Sequence, residues 1–490
     1  LSQEAENAAF QKFLLSNERS RSWELRISSL MDEHLVGNFR EAMYRFFYPL
    51  IDKLHPSACF SAGRCGPGAS YGVKGTSSYT KLFDSALTTT SAGLYELYSS
   101  WLTNSPRLLD AELFRVGRWA PFVVKRGSKL SFVPKNDEIG RSICVEPSLN
   151  MFHQLGAGEI ISRHLNKVFG INLSTQPDVN KRLARIGSRT GSFSTIDLVS
   201  ASDTISHQMV RTFLPKAVYD LLMLSRSSST SYKGQEIPLS MFSTMGNGFT
   251  FPLQTAIFAC AVASAFRTDG TKPRSSRLIR ECETGLTWQY QKTGRMRLGN
   301  YGVFGDDIIV PTAIDLKLRR LLHLLGFEVN AEKSYREGDF RESCGGDFLR
   351  GKPFRGVYIK HLKTTQDRLV AFNRLTEYAA YHKLQIPETL RYLLPRRWHR
   401  VPLHEGYDAG VRVPSIDTSP ISSDSLEPVV KYLAWYPNPK RLELQHPDTN
   451  FWGAVDSMLG GYLRTGRVSV RVERVHYTLR RKHVPPVYWG

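Results

Sequence analysis

The chain has 490 residues, of which 41% are hydrophobic and 22% charged, with a net charge of +20. That length and composition exclude a single small domain and an overall disordered chain. So strong a positive balance points to a polyanionic partner, because Lys and Arg gain affinity by releasing counterions from phosphates. An acidic membrane surface would attract it too, but no apolar run approaches the ~18 residues of a membrane-spanning helix.

The first residues, Leu1-Ser2-Gln3-Glu4-Ala5-Glu6, lack the basic start and apolar core of a secretory signal. The chain starts without an initiator Met, so processing or trimming is expected. Six scattered cysteines contain no Cys-x-x-Cys pair. A zinc site is therefore not expected, and a reduced cytosolic setting is.

Residues 1–55 read as largely helical. A Gly-rich loop follows at 63–70; it lacks the Gly-Lys-Ser/Thr ending of a phosphate-binding P-loop, and a plain connector reads as well. From 114 to 141 the chain is basic and aromatic, with Arg115, Arg118, Trp119, Phe122, Lys125, Arg126, Lys129, Lys135 and Arg141. Alternation there predicts strands. Either a nucleic-acid channel or a solvated basic face has this composition. Residues 156–169 predict an amphipathic helix.

Phe193 to Leu198 reads as a strand ending at Asp197, followed by helix-capping residue types around Ser202 and Asp203. The loop Met245-Gly246-Asn247-Gly248-Phe249-Thr250 feeds an apolar helix over 252–266, with Pro252 in its first turn. Residues 267–298 read as a polar, basic excursion. Then Tyr301-Gly302-Val303-Phe304-Gly305-Asp306-Asp307-Ile308-Ile309-Val310 predicts a β-hairpin with two carboxylates at its tip. An ordinary solvated turn has the same composition.

A helix is predicted over 316–325, a strand and turn over 327–333, and a strand over 357–359. Beyond 366 the pattern predicts mainly helix, interrupted by a Ser/Pro/Asp-rich stretch at 413–428. The end of the chain is basic, with Arg464, Arg467, Arg471, Arg474, Arg480, Arg481 and Lys482. Nucleic-acid contact and a disordered tail fit it equally.

If the Asp197 strand lies beside the hairpin, Asp197, Asp306 and Asp307 can share two hard cations. Mg²⁺ takes oxygen ligands, often one or two carboxylates plus substrate phosphates, and two such ions serve in-line phosphoryl displacement. Spacing alone leaves nucleotidyl transfer and a two-metal nuclease both open.

Several runs together are specific. They are Gly66-Pro67-Gly68-Ala69-Ser70; Val133-Pro134-Lys135-Asn136 with Arg141 and Glu146-Pro147; Asn150-Met151-Phe152 with Gln154-Leu155-Gly156; and Thr195-Ile196-Asp197-Leu198 with Ala201-Ser202-Asp203. Further runs are Ser243 to Phe251, Phe304-Gly305-Asp306-Asp307, and Phe340-Arg341-Glu342-Ser343-Cys344-Gly345. In this order they resemble the RNA-directed RNA polymerase (replicase) subunit of the small positive-strand RNA bacteriophages, the levivirus group. The resemblance is strong over 60–365 and weak outside.

The resemblance implies an α+β fold: a right hand of fingers, palm and thumb, with the palm built on an antiparallel sheet with packed helices. It implies fingers over 1–190 and 216–240 and palm over 191–215 and 241–365. It leaves 366–490 for the thumb and a basic C-terminal tail. Asp197, Asp306 and Asp307 would bind two Mg²⁺ ions, with Mn²⁺ a possible substitute. Lys135 and Arg141 would hold the triphosphate. Asp203 would help recognise the ribose 2′-hydroxyl, a helix cap being its plainer role. Gly246, Asn247, Gly248 and Thr250 would position template and nucleotide, or simply form a mobile helix entry. Lys333 would protonate the leaving pyrophosphate, a solvated lysine being the alternative.

Expected partners are RNA template and product, NTPs, the host translation elongation factors Tu and Ts, and a ribosomal RNA-binding protein. The expected place is the cytoplasm of the bacterial host, and the expected reaction is RNA synthesis without a primer. Phe304 stands where the family usually has Tyr, and Gln254 where RNA polymerases often have Asn. The 267–298 excursion looks longer than in relatives. A reverse transcriptase is the nearest rival, against which Asp203 and the phage-specific runs speak. A silent RNA-packaging or regulatory scaffold is the rival from another class.

Overall fold

The computed structural model describes residues 2–135, 139–279, 295–359, 361–414, 421–422, 429–437, 440–441, 447–459, 467–468 and 477–485. The fold mixes helices with several small sheets, an α+β arrangement. It comprises two compact units: Leu1–Phe354 with Leu442–Gly466, and Arg355–Arg441 with Arg467–Gly490.

In the first unit a three-stranded antiparallel sheet sets the frame. Its order is Gly302–Phe304, Asp307–Pro311, Phe193–Ile196. Successive side chains on a strand face opposite ways, and here both faces are covered. Val303, Ile308, Val310 and Ile196 enter the large core, while Ile309 packs with Val179, Leu183 and Ala184 of the Gln176–Thr190 helix. The core is built around the Thr250–Thr268 helix, whose residues Leu253, Ala256, Ile257, Phe258, Ala261 and Val262 are all buried. The Leu30–Phe47, Ser148–Phe169 and Asp315–Leu324 helices pack on it. An apolar run buried on every side needs no amphipathic period, which is why it stands out as a plain block in the sequence.

The helix expected over 156–169 begins at Ser148. Its first turns carry Asn150, His153 and Gln154, all fully buried, so polar residues mask the apolar stripe there. The strands expected within 114–141 are Phe122–Val124, Ser128–Pro134 and Gly140–Val145. The latter two join Ser229–Tyr232 and Gln235–Pro238 in a four-stranded sheet.

Arg115 corrects the reading of that basic run. It ends a helix, Pro106–Val116, and is wholly buried. Its guanidinium forks onto Glu112 at 2.6 and 2.8 Å and donates to the carbonyls of Ser85, Ala120 and Pro121. It is a structural tie and does not face a channel.

Expected strand 357–359 is irregular chain, and 327–333 contributes only one bridge, Leu198 with Val329. The strands form earlier, as Phe340–Ser343, Gly346–Leu349 and Lys352–Pro353. The Cys344-Gly345 turn between the first two has φ of 49° and 74°. Two positive φ values are what a tight type I′ hairpin turn requires, so the glycines that look like a loop signal are strand connectors.

Beyond 366, among the described residues, the expectation of mainly helix holds for Thr365–His382, Pro387–Leu393 and, in the first unit, Phe451–Leu459. In the second unit, Val429–Pro437 pairs with Ile421–Ser422 and with Tyr477–Val484. Val430, Tyr432 and Ala434 are buried alternately along it. The end of the chain is therefore not a free tail where it is described. Arg480 lies over the Tyr436 ring at 4.5 Å and Lys482 Nζ donates to Glu405 at 2.7 Å. Arg464, Arg471 and Arg474 lie outside the described residues, as do Asn136, Cys282, residues 280–294 of the 267–298 excursion and most of 413–428.

One buried acid stands behind the 243–250 loop. Glu146 accepts from Ser227 Oγ at 2.5 Å. Burial pushes its carboxyl up to about 7, against hydrogen bonds from Ser227 and Gln154 and the Arg226 charge. The folded state thus keeps this proton to about pH 7, whereas the unfolded chain releases it near 4.5. The folded state binds more protons between these values, so stability falls as pH rises through that window. Glu146→Gln keeps an acceptor for Ser227 and removes the ionisation. It is expected to stabilise the chain above pH 7, leave it unchanged below 4.5, and flatten the denaturant midpoint between them. For the buried ion pair, Arg115→Ala strands Glu112 and should cost about 3–5 kcal/mol in denaturant unfolding. An Arg115→Ala chain of unchanged stability would contradict the structural role.

Candidate active site

The site follows from strand register. Ile308 faces Ile196 in the antiparallel pair. One step further along both strands come Asp307 and Asp197, so the pairing sets these two carboxylates across from each other at the sheet edge. The hairpin pairs Phe304 with Asp307 and leaves Gly305 and Asp306 as its two-residue turn. Gly305 has φ +59°, the positive value a type II′ turn asks of its first central residue. An added Cβ would stand 2.5 Å from the Phe251 ring, so space as well as backbone demands glycine. The Gly305 N–H donates to Thr255 Oγ1 at 3.0 Å, which pins the turn to the central helix. Phe304 packs edge-to-face on Phe251 at 4.7 Å, so the ring serves packing.

Asp197, Asp306 and Asp307 are each half-buried. Burial raises the Asp306 carboxyl to about 6; the Asp307 and Asp197 charges push it the same way and Arg141 opposes them. Burial raises Asp197 as well, countered by a hydrogen bond from Asn330 and by the Lys333 charge, with Asp307 again repelling. The three carboxylates therefore share one field. Asn330 Nδ2 donates to Asp197 Oδ2 at 2.9 Å, and Asn330 N–H donates to the Asp197 carbonyl at 2.9 Å. Asp307 Oδ1 accepts from Cys344 N–H at 2.9 Å and Ser343 Oγ at 3.1 Å.

Cations face these acids. Lys135 lies at the tip of the 128–145 hairpin and Arg141 on its second strand; both are exposed. Burial lowers the Lys135 ammonium, and the neighbouring charges of Lys333, Arg141 and Lys12 add to that, while Asp197 opposes. The structure thus brings Asp197, Asp306, Asp307, Lys135, Arg141 and Lys333 within electrostatic reach of one another. Acids and cations within reach of one another suit a phosphate chain bridged to a hard cation.

Asp203 lies in the one-turn 3₁₀ segment Ala201–Thr204 and is buried. It does not cap a helix. Its Oδ2 accepts from Ser142 Oγ at 3.0 Å, and its Oδ1 accepts from the Met245 N–H at 3.3 Å and from Ser202 Oγ at 3.4 Å. The loop after it is braced and not a loose helix entry. Gly246 has φ +116°, and a Cβ there would meet the Cys144 carbonyl at 2.2 Å. Asn247 Oδ1 accepts from Phe249 N–H, Gly248 N–H donates to Gln154, and Thr250 Oγ1 donates to the Thr244 carbonyl. Asn247 and Thr250 thus spend these groups on the loop itself. Gln254 is buried one turn into the helix.

Sequence reasoning missed Asn330, Asn180 and the role of Ser343 and Cys344. The one available signal for Asn180 was a polar residue, four after Gln176, on the helix stripe otherwise filled by Val179, Leu183 and Ala184.

Among the described residues no cluster of three or more His, Cys, Asp or Glu side chains closes into a protein-only metal cage. Mg²⁺ does not require one, since it retains waters and recruits substrate phosphates. An all-oxygen trio, in which burial and the neighbouring charges favour the protonated forms of Asp197 and Asp306, fits a hard divalent cation. Also among the described residues, no helix is long and apolar enough to cross a membrane.

The family model described as RNA replicase, beta-chain, matches residues 2–273 and 292–433. The match reaches well beyond 60–365 at both ends and breaks within the basic excursion. The RNA-directed RNA polymerase beta chain of Escherichia phage MS2 is 37% identical over 285 residues, 55% of this chain and 47% of that one. That of Enterobacteria phage fr is 35% identical over 328 residues, 62% of this chain and 54% of that one. The RNA-directed RNA polymerase subunit beta of Escherichia virus Qbeta is 32% identical over 318 residues, 63% and 49%. The chain spans about half the length of the curated relatives it matches. An RNA-dependent RNA polymerase of a human picobirnavirus overlays with a TM-score of 0.36 at 11% identity, over 79% of this chain and 83% of that one, too distant a likeness to establish a shared fold. By the family match over most of its length, this chain belongs to the RNA replicase beta-chain family.

Proposed function

We propose that this chain is an RNA-directed RNA polymerase that copies a phage single-stranded RNA genome, starting without a primer. The observation that carries the reading is the register that sets Asp307 across from Asp197, with Asp306 at the adjoining turn and Lys135 and Arg141 facing them. Family membership supplies the choice of polymerase over nuclease.

In this reaction the 3′-hydroxyl oxygen of the growing strand attacks the α-phosphate of an NTP. The bond to the bridging oxygen breaks, and pyrophosphate leaves. Asp197, Asp306 and Asp307 would hold two Mg²⁺, or Mn²⁺ in their place, which activate the attacking oxygen and neutralise the leaving one. Lys135 and Arg141 hold the triphosphate by charge. Lys333, close enough to Asp197 to oppose its protonation, is the donor of the proton that pyrophosphate takes up. A carboxylate offers about four lone-pair positions. Asp203 uses three on Ser142, Ser202 and Met245, which leaves one for the ribose 2′-hydroxyl. The braced loop at Gly246, Asn247, Gly248 and Thr250 backs that position. Residues 1–190 and 216–240 act as fingers, 191–215 and 241–365 as palm, and 366–490 as thumb with its basic end. RNA template and product meet this site in the host cytoplasm, with elongation factors Tu and Ts and a ribosomal RNA-binding protein as partners.

The test is labelled NMP incorporation by the purified chain on a phage RNA template with Mg²⁺, with and without the host elongation factors. Template-length RNA is expected, with NTPs preferred to dNTPs. Asp306→Asn should reduce it by more than the about 100-fold that losing an outer partner of a metal ligand costs. An active Asp306→Asn chain would sink the catalytic assignment, and faster dNTP use would favour a reverse transcriptase.

A further inference from the structure

We propose that Asn180 and Ser343 are positioning residues that fix the Asp307 carboxylate for metal binding, through an ordered chain of hydrogen bonds starting at Gln176. The inference rests on the reading of Asp307 as a metal-binding carboxylate and deepens it.

Gln176, Asn180 and Ser343 are 3%, 0% and 1% exposed. Burying three polar side chains against an apolar sheet is costly unless each finds partners. Gln176 Nε2 donates to Asn180 Oδ1 at 3.0 Å. Asn180 Nδ2 then donates to the Asp307 carbonyl at 3.1 Å and to Ser343 Oγ at 3.3 Å. The reverse amide orientation would set two oxygens against each other at the Asp307 carbonyl, so the network itself selects this one. With an Asn180 N–H on its lone pair, the Ser343 hydroxyl has one proton for two acceptors, Asp307 Oδ1 at 3.1 Å and Cys344 Sγ at 3.8 Å, and the shorter, charged carboxylate is much the stronger. The Cys344 N–H reaches the same oxygen at 2.9 Å, presented by the turn in which Cys344 takes φ +49°. The neighbouring strand leaves room for the arrangement, since a Cβ on Gly302 would stand 2.3 Å from Asn180 Oδ1.

Every donor in this chain points toward Asp307. A carboxylate torsion is otherwise broad and nearly two-fold. Two donors on Oδ1, one of them held by Asn180, fix its plane opposite Asp197. A residue that merely tied the helix to the sheet would need only the bond to the Asp307 carbonyl. The hydroxyl between Asn180 and the carboxylate gives the chain its function.

Mn²⁺ binding by the purified chain, read from the electron paramagnetic resonance of free Mn²⁺, tests this. Ser343→Ala and Asn180→Leu should each weaken Mn²⁺ binding about tenfold, the range for losing an outer partner of a metal ligand. Because Asn180 acts through Ser343, the double variant should bind little worse than the weaker single one. The Mg²⁺ needed for half-maximal RNA synthesis should rise in parallel, with KM for NTP little changed. Asp306→Asn serves as the reference. If it loses Mn²⁺ while Ser343→Ala and Asn180→Leu keep full affinity, the positioning role is overturned and the metal site stands. If Asp306→Asn keeps full affinity, the metal site itself falls. Additive losses that track thermal stability would also overturn the proposal. Should Asn180→Leu not fold, Ser343→Thr takes its place: the restored hydroxyl should recover affinity lost in Ser343→Ala, and equal loss in both would overturn it.

Discussion

The partial burial of three neighbouring carboxylates, with their mutual repulsion added to it, is the constraint on which this structure turns. Asp197, Asp306 and Asp307 are brought together at one edge of a sheet whose two faces are covered by apolar packing. Left alone, such a group favours protonation, as the rise of Asp306 to about 6 reflects. The surrounding structure works against that cost by supplying donors to the charged forms. Asn330 serves Asp197, and Ser343 with the Cys344 N–H serves Asp307. Register does the rest, since slipping the Phe193–Ile196 strand by one residue would turn Asp197 away from Asp307.

The same edge explains the uses of the neighbouring elements. The Thr250–Thr268 helix pins the turn through Thr255 and packs Phe251 against Phe304. The Gln176–Thr190 helix covers the opposite face and sends Asn180 into it. Lys135 and Arg141 arrive from a separate sheet, at and beside the tip of its hairpin, so these cations and the acids belong to different elements. A phosphate chain placed between them would be held by the cations directly and by the acids only through a bridging metal cation.

How much of this was legible in the sequence depended on how local each signal was. The hairpin tip was, because apolar residues flank Gly305-Asp306-Asp307 on both sides and glycine there has a stereochemical reason. The Asp197 strand was legible as a strand, and its pairing with the hairpin could be posed as a condition. Arg115 was not, because a charge in a basic, aromatic run reads the same whether exposed or tied to Glu112 in the interior. The start of the 148–169 helix was hidden by buried Asn150, His153 and Gln154. The strands at 340–353 were hidden by glycines that serve as tight turns, and the long pair Val429–Pro437 and Tyr477–Val484 by partners distant in sequence. Asn180 carries no local sign of its task beyond a polar side chain on an apolar stripe, since its partners lie 127 and 163 residues away.

Iron cleavage tests most directly the proposal that Asp197, Asp306 and Asp307 together hold divalent metal. Replacing Mg²⁺ with Fe²⁺ and adding ascorbate and peroxide makes bound iron cut the nearby backbone. The account expects nicks beside residue 197 and beside 306–307, suppressed by excess Mg²⁺ and lost in Asp307→Asn. Cleavage confined to other segments, or nicks at these positions that persist in Asp307→Asn, would contradict it.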